Sequence, residues 1–428
     1  MSDPITSNVT LNTVSLREIL GIETDNAINS EYNLSIPDYQ RIYCWEEKTV
    51  LKLIDDIKNF SEKKYHLGNI ILHKRKENQY DIVDGQQRLV TLSLLLLQIG
   101  GYKKDFSLLN SAFNSELAVE YLSYNKWLIE NHKDNENLTD KTDQILNNLQ
   151  FSVLTIEDQT IDLAYTFFSN QNSRGKSLTD YDLLKAHHLR FIHIPEQANH
   201  MAERWDDLIL NFDNDSTDKD LGRTFEIYLF RLRKWMRKKD WNNDQKFKVK
   251  NEFEASPIIS EIPPFGEQFR FNESIQGGSH FFAYTDFFIY KFKTFSETLE
   301  YKTLHDNLCH ESHWWYRDAI EAFLFAYYLK FGTLYMSDAL IGIIKIMSKH
   351  RYENNRAYLH SILKFASNSE IIMMIEQATS PTFFLAEMLE QIKTLHYGTS
   401  FPGIKGRYQD KTKNIIEKLK KNTIVKYN

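Results

Sequence analysis

Residues 80–89 read Tyr-Asp-Ile-Val-Asp-Gly-Gln-Gln-Arg-Leu, and an apolar run broken only by Thr91, Ser93 and Gln98 continues to Ile99. A short buried strand therefore delivers Asp84 and Gly85 to a turn, and a helix starts at once. The run is about half the length of a membrane span, so the helix has to be covered by protein. That strand–turn–helix step constrains the chain more than any other feature: it demands an α/β unit with this helix inside it. The neighbouring pattern agrees. Ile36-Pro37 opens an extended segment, because proline restricts the residue before it. Thr49 is placed to cap a helix burying Val50, Ile54, Ile57 and Phe60. Residues 68–73 and 80–83 read as strands, with 74–79 as the turn between them. The stretch 14–22 suggests a short helix, 102–150 is helical with a polar interruption at 131–143, 154–158 suggests a further strand, and Thr179 with Asp182 suggests a capped helix.

The rest of the chain points to helices. Fifteen glycines and eight prolines in 428 residues fall far below the usual share of roughly 12%, so tight turns are scarce. Beyond about residue 280 the pattern is helical almost to the end. The fold class expected is α+β, with a small α/β domain over 10–195 and a mainly helical, DNA- or partner-binding domain over 196–428. The net charge of -6 excludes a chain that is basic overall, as a general nucleic-acid glove would be. Cys44 and Cys309 stand far apart, which argues against a disulfide framework and for a reducing, cytoplasmic setting. No stretch reads as a membrane span.

The corner at 84–88 suits an anion. A helix N-terminus carries unpaired N–H groups and partial positive charge. Gly85 allows close backbone approach, Gln86 and Gln87 can donate amide hydrogen bonds, and Arg88 can clamp a phosphate in a fork. Asp84 can hold Mg²⁺ through water or orient a nucleophilic water. On the residues alone the more ordinary reading is a capping aspartate followed by solvated polar side chains, since strand–Gly–helix turns abound. No P-loop pattern is present. Two further segments carry polar residues among aromatics: 36–45, with Gln40 and Arg41, and 167–178, a polar loop leading into the Thr179 helix.

Taken together, these segments resemble the family called domain of unknown function 262, the nucleotide-hydrolysing component of modification-dependent restriction systems of the GmrS type. The resemblance rests on Ile-Pro-Asp-Tyr-Gln-Arg-Ile-Tyr-Cys-Trp at 36–45 and Leu-Gly-Asn-Ile-Ile-Leu at 67–72. It rests also on Asp-Gly-Gln-Gln-Arg at 84–88 and on Asn-Ser-Arg-Gly-Lys-Ser-Leu at 172–178 before Asp-Leu-Leu-Lys-Ala at 182–186. It covers about residues 10–190. It implies a ParB/sulfiredoxin-like fold and a nucleoside triphosphate, with Mg²⁺, against the helix after Gly85. Asp84, Gln87 and Arg88 would be catalytic; Gln40, Arg41, Gly85, Gln86, Asn172, Arg174 and Gly175 would bind nucleotide. The expected function is an NTP-hydrolysing regulatory subunit of an anti-phage or type IV restriction system; the alternative is a nucleotide-sensing scaffold or DNA-binding subunit without turnover. Expected partners are the nucleotide, DNA or a nuclease subunit, and further copies of the chain; no membrane partner is expected. His66 stands where the family carries an aromatic residue. Many relatives add an HNH nuclease, but His193-Ile194-Pro195 comes too early for one and lacks partner residues at nuclease spacing, so the chain is expected to have no nuclease of its own.

Outside these segments, Arg231, Arg233, Lys234, Arg237 and Lys238 cluster around Trp235 as a weak candidate for DNA contact. The last 28 residues carry eight lysines and arginines against Asp410 and Glu417, on a helix with an apolar stripe. His305, Cys309, His310 and His313 do not follow a standard zinc spacing. The aromatics between Phe281 and Tyr290 read as core.

Overall fold

The computed structural model describes residues 8–22, 32–60, 62–99, 108–109, 116–132, 135–157, 179–210, 220–238, 249–254, 269–311, 313–396, 398 and 400–427. The chain divides into two compact units, Met1–Leu210 and Asn211–Asn428. The architecture is α+β: a mixed sheet in the first unit, helices in the second.

The first unit opens with β1 (Asn8–Ser15) and α1 (Leu16–Leu20). The stretch 14–22, expected as a helix, is thus split. Val14 is paired with Phe151 in the sheet. The helix starts only where Ser15 and Glu18 form a reciprocal capping box, and Gly21 closes it with a positive φ of 64°. Next come β2 (Asn33–Ser35), α2 (Glu47–Phe60), β3 (Tyr65–Lys76), β4 (Gln79–Asp84) and α3 (Gln86–Ile99). The second helix starts two residues before Thr49, which lies inside it. It buries Val50, Leu53, Ile54 and Ile57, whereas Phe60 is exposed and stacks on Tyr65. The β3–β4 hairpin is longer than the pattern suggested, because Asn78, a residue that tolerates positive φ, takes 60° and closes a tight turn.

After α3 follow α4 (Glu116–Glu130), α5 (Asn135–Asp140), α6 (Thr142–Asn148), β5 (Leu149–Glu157), α7 (Asp180–Leu189) and α8 (Pro195–Leu210). The polar stretch 131–143, expected as an interruption, holds α5 and the start of α6. The Thr179–Asp182 capping box forms as expected. Among the described residues the sheet runs β1-β5-β3-β4-β2. Pairing is antiparallel for β1–β5 and β3–β4 and parallel for β5–β3 and β4–β2. Ile70, Ile71 and Leu72 of β3 are all buried, as a strand covered on both faces requires. Helix α3 buries residues right around its circumference, from Gln86 and Gln87 to Ile99. It is the core helix that its apolar run demanded, and among the described residues no helix is long and apolar enough to cross a membrane.

The second unit is helical: α9 (Asp220–Gly222), a π-helical segment Arg223–Leu229 and α10 (Phe230–Met236), then α11 (Val249–Phe253), α12 (Ser279–Ser296), α13 (Leu299–Asn307), α14 (His313–Phe331), α15 (Met336–Glu353), α16 (Leu359–Asn368), α17 (Ile371–Gln377), α18 (Pro381–Lys393) and α19 (Gly403–Tyr427). Phe281, Phe282, Tyr284 and Phe288 are core, but Tyr290 is exposed. The basic cluster on α10 is not a free surface. Arg231, Arg233 and Lys234 are buried. Arg233 donates to Glu252 at 2.6 Å and to the carbonyls of Phe271 and Glu273 at 2.9 and 2.7 Å. Arg237 is salt-bridged to Glu252 and Lys238 to Glu370. These cations hold the helices together, which removes the basis for reading them as a phosphate-tracking stripe. A second buried network joins Arg223 to Asp318 at 3.1 Å and to Glu321, while the Tyr228 hydroxyl donates to Glu321 at 2.8 Å and His305 lies 3.0 Å from it. Burial pushes the Glu321 carboxyl up, but Arg223, His305 and Arg317 outweigh it and hold it down at about 2.

His313 and His350 are both buried and held neutral, their pKa values pushed down to about 4 chiefly by desolvation. Between pH 4 and 6.5 the unfolded chain binds a proton at each that the folded chain refuses. Stability of the second unit therefore falls as pH drops through that window, by about 1.4 kcal/mol per pH unit for each histidine. Thermal unfolding of the full chain at pH 7, 6 and 5 should show this loss, and His350→Phe should flatten the slope; a pH-independent transition would contradict the assignment.

Candidate nucleotide site at the strand–helix corner

The segment 36–46 between β2 and α2 has no regular secondary structure, yet Tyr39, Gln40 and Tyr43 within it are buried. A buried irregular backbone must find partners for its polar groups, and here side-chain amides supply them. Gln40 Nε2 donates to the Ile82 and Val83 carbonyls at the end of β4, at 2.9 and 2.6 Å. Gln86 Nε2 donates to the Arg41 carbonyl at 3.0 Å. Gln87 uses both ends of its amide: Nε2 donates to the Ile42 carbonyl at 3.0 Å and Oε1 accepts from the Cys44 N–H at 2.9 Å. Lys185 on α7 closes the ring, with Nζ 3.3 Å from the Gln40 carbonyl and 2.8 Å from both oxygens of Asp206 on α8. Three segments distant in sequence are thus stitched into one body.

The two glycines of the corner have separate reasons. Gly85 has φ +100°, and a Cβ there would stand 3.0 Å from Ile70 Cγ1. Its freedom lets β4 turn into α3 while packed on β3. Gly68 has φ +109°, and a Cβ there would stand 3.1 Å from Arg88 Nη1. The guanidinium of Arg88 lies over that bare backbone and donates to the Asn69 carbonyl at 3.2 Å. Asp84 and Arg88 are half-buried. Burial raises the Asp84 carboxyl, opposed by the Arg88 charge, the Gly85 N–H and the Arg41 charge. Burial likewise lowers Arg88, opposed by Asp84. Asp84 therefore sits within the field of two guanidiniums where solvent is scarce.

Beside this corner lies a small cleft open to solvent, lined by the loop residues Asp38, Gln40 and Arg41, by Gln86 and Lys185, and by Asn199, Glu203 and Asp206 of α8. Asp84, Gly85 and Arg88 are not in its lining. Arg41 connects the two places, since it lines the cleft and also acts on Asp84. The structure thus groups Gln40, Arg41, Asp84, Gly85, Gln86, Gln87 and Arg88, while Asn172, Arg174 and Gly175 lie outside the described residues. The contribution of α8 was missed in the sequence. Its trace was the spacing of Asn199, Glu203 and Asp206, which shares one helix face. Among the described residues no group of three or more His, Cys, Asp or Glu side chains is arranged for a metal ion.

Gln87→Leu strands the Ile42 carbonyl and the Cys44 N–H together. It should destabilise the first unit by about 1–3 kcal/mol for each group left without a partner, read as a shifted midpoint in urea. An unchanged midpoint would show that the loop does not depend on that amide.

Compared with known families, residues 24–189 match the model described as GmrSD restriction endonuclease, N-terminal domain. Residues 260–401 match a family of unknown function, DUF7834. No curated protein matches the chain. The matched span 24–189 contains the stitched loop, the Gly85 corner and α7, so this part of the chain is similar to the GmrSD restriction endonuclease N-terminal domain.

Proposed function

We propose that the chain is an NTP-binding and NTP-hydrolysing regulatory subunit of a restriction or anti-phage defence system, with its nucleotide phosphates at the corner formed by Asp84, Gly85 and Arg88. The observation that carries this reading is the partly desolvated Asp84 carboxyl at the start of a helix, acted on by the charges of Arg88 and Arg41. Such a constellation combines one oxygen donor, two cations and N-terminal amides, the parts that phosphoryl transfer uses. The match to a restriction endonuclease domain supports the setting, and a ParB/sulfiredoxin-like arrangement of the sheet is part of the same proposal.

In this mechanism Arg88 leaves the Asn69 carbonyl to grip a phosphate, and Arg41 stabilises charge developing on the transferred group. Asp84 orients the attacking water. The same carboxylate would hold Mg²⁺, which binds through one or two carboxylates plus the phosphates themselves and so fits a site with a single acid; when bound, the ion supplies charge neutralisation. Gln86 and Gln87 act through the loop: they hold the backbone of Arg41 and of its neighbours. Asn172, Arg174 and Gly175 would complete the site from the following segment. The helical second unit would pass the nucleotide state to DNA or to a partner nuclease. A nucleotide sensor without turnover is the second reading, favoured by the hydrogen bond that already occupies Arg88.

Turnover of radiolabelled nucleotide by the purified chain tests this. Arg88→Ala and Asp84→Ala should each lower kcat by about a hundredfold or more. Equal turnover in all three proteins would remove the enzymatic reading, and tight binding without turnover would leave the sensor.

A further inference from the structure

Lys185 is only 2% exposed, and lysine is almost never buried to that degree without a partner. Its ammonium carries three N–H donors and has three acceptors around it, both oxygens of Asp206 at 2.8 Å and the Gln40 carbonyl at 3.3 Å. Burial raises the Asp206 carboxyl, and the Lys185 charge is the first influence that opposes it. An apolar pair in these two positions would hold α7 against α8 as well or better, since a buried ion pair contributes little net stability. What an apolar side chain would not supply is the contact of the ammonium with the loop.

The carbonyl that Lys185 holds belongs to the peptide group joining Gln40 to Arg41. The next carbonyl, that of Arg41 itself, accepts from Gln86 Nε2 at 3.0 Å. Both peptide groups that flank the Arg41 Cα are thus held, one from α7 and one from the first turn of α3. With two planar groups fixed, the direction in which the side chain leaves the backbone is fixed as well. We infer, on the basis of the phosphate site proposed above, that Lys185, aimed by Asp206, is a positioning residue that sets the Arg41 guanidinium for phosphoryl transfer. Neither residue touches the nucleotide. Asp206 orients the ammonium, the ammonium holds the Gln40–Arg41 peptide group, and Arg41 meets the charge that develops at the corner. Control of the rate thereby reaches α8, the last element before the first unit ends at Leu210. A displacement of α8 would loosen Arg41 and leave Arg88 in its place.

Steady-state nucleotide turnover by the full chain tests this role, with Lys185→Met and Asp206→Leu combined so that no charge is left buried and the urea midpoint measured to confirm folding. The combined replacement should lower kcat by about tenfold or more and leave KM within about twofold, because misplacing a group that acts only in the transition state costs kcat alone. In an Arg41→Ala background the same replacement should change kcat no further, since no guanidinium is left to place; a pair that merely supports the fold would lower both backgrounds alike. Asp206→Asn, which keeps one acceptor for the lysine, should show a smaller loss of the same kind and remains informative should the combined replacement misfold. Wild-type kcat in a folded variant, a rise in KM alone, or equal losses in the two backgrounds would overturn the positioning role and leave the phosphate site standing. Absence of turnover by the unaltered chain would overturn both.

Discussion

The first unit depends on a small set of amide hydrogen bonds. The loop 36–46 enters the core without helix or sheet to satisfy its backbone, and Gln40, Gln86 and Gln87 perform the task that a strand ladder performs elsewhere. Their reach fixes where Arg41 stands relative to α3, because the carbonyl of Arg41 and those of its neighbours are held from the first turn of that helix. A glutamine is suited to this role: it is uncharged, so its burial is affordable, and it offers both a donor and an acceptor. Arginine or lysine in the same positions would carry a charge into the core and could donate only.

This scaffold separates two electrostatic environments that share one side chain. At the corner, the charges of two guanidiniums act on a single carboxyl. In the cleft, carboxylates and an amide oxygen outnumber the cations, and the one lysine is neutralised by Asp206. The low mobility of charge in a half-buried site makes the difference matter, since neither environment is averaged away by solvent as a surface patch would be.

Much of this was legible in the sequence, and the reasons for the gaps are physical. The β4–Gly85–α3 step announced itself because an apolar run too short for a membrane has to lie inside protein. The Thr179 cap was readable because capping is local. The helix 47–60 was readable by its period, but its first residue was not, because helix ends depend on neighbours. The roles of Gly68 and Gly85 were only half readable: close backbone approach was expected at Gly85 and Gly68 read as part of a strand, whereas the packing of Gly68 beneath Arg88 and of Gly85 against Ile70 requires two strands to be in place. The α10 cations misled because a sequence shows charge and not its partners. Glu252 and the carbonyls of Phe271 and Glu273 that neutralise Arg233 lie 19 to 40 residues away.

The buried network of Arg223, Asp318, Glu321, Tyr228 and His305 carries a consequence for how this chain can change over time. The buried acids are paired with Arg223 and with the neighbouring Arg317, so removing one member leaves an uncompensated charge in the interior, which is costlier than the intact set. Single steps through sequence space at these positions are therefore closed, while simultaneous replacement of the group by well-packed apolar residues is open. Divergent descendants of this helical unit should accordingly retain the whole constellation or lack it altogether, with few intermediates between.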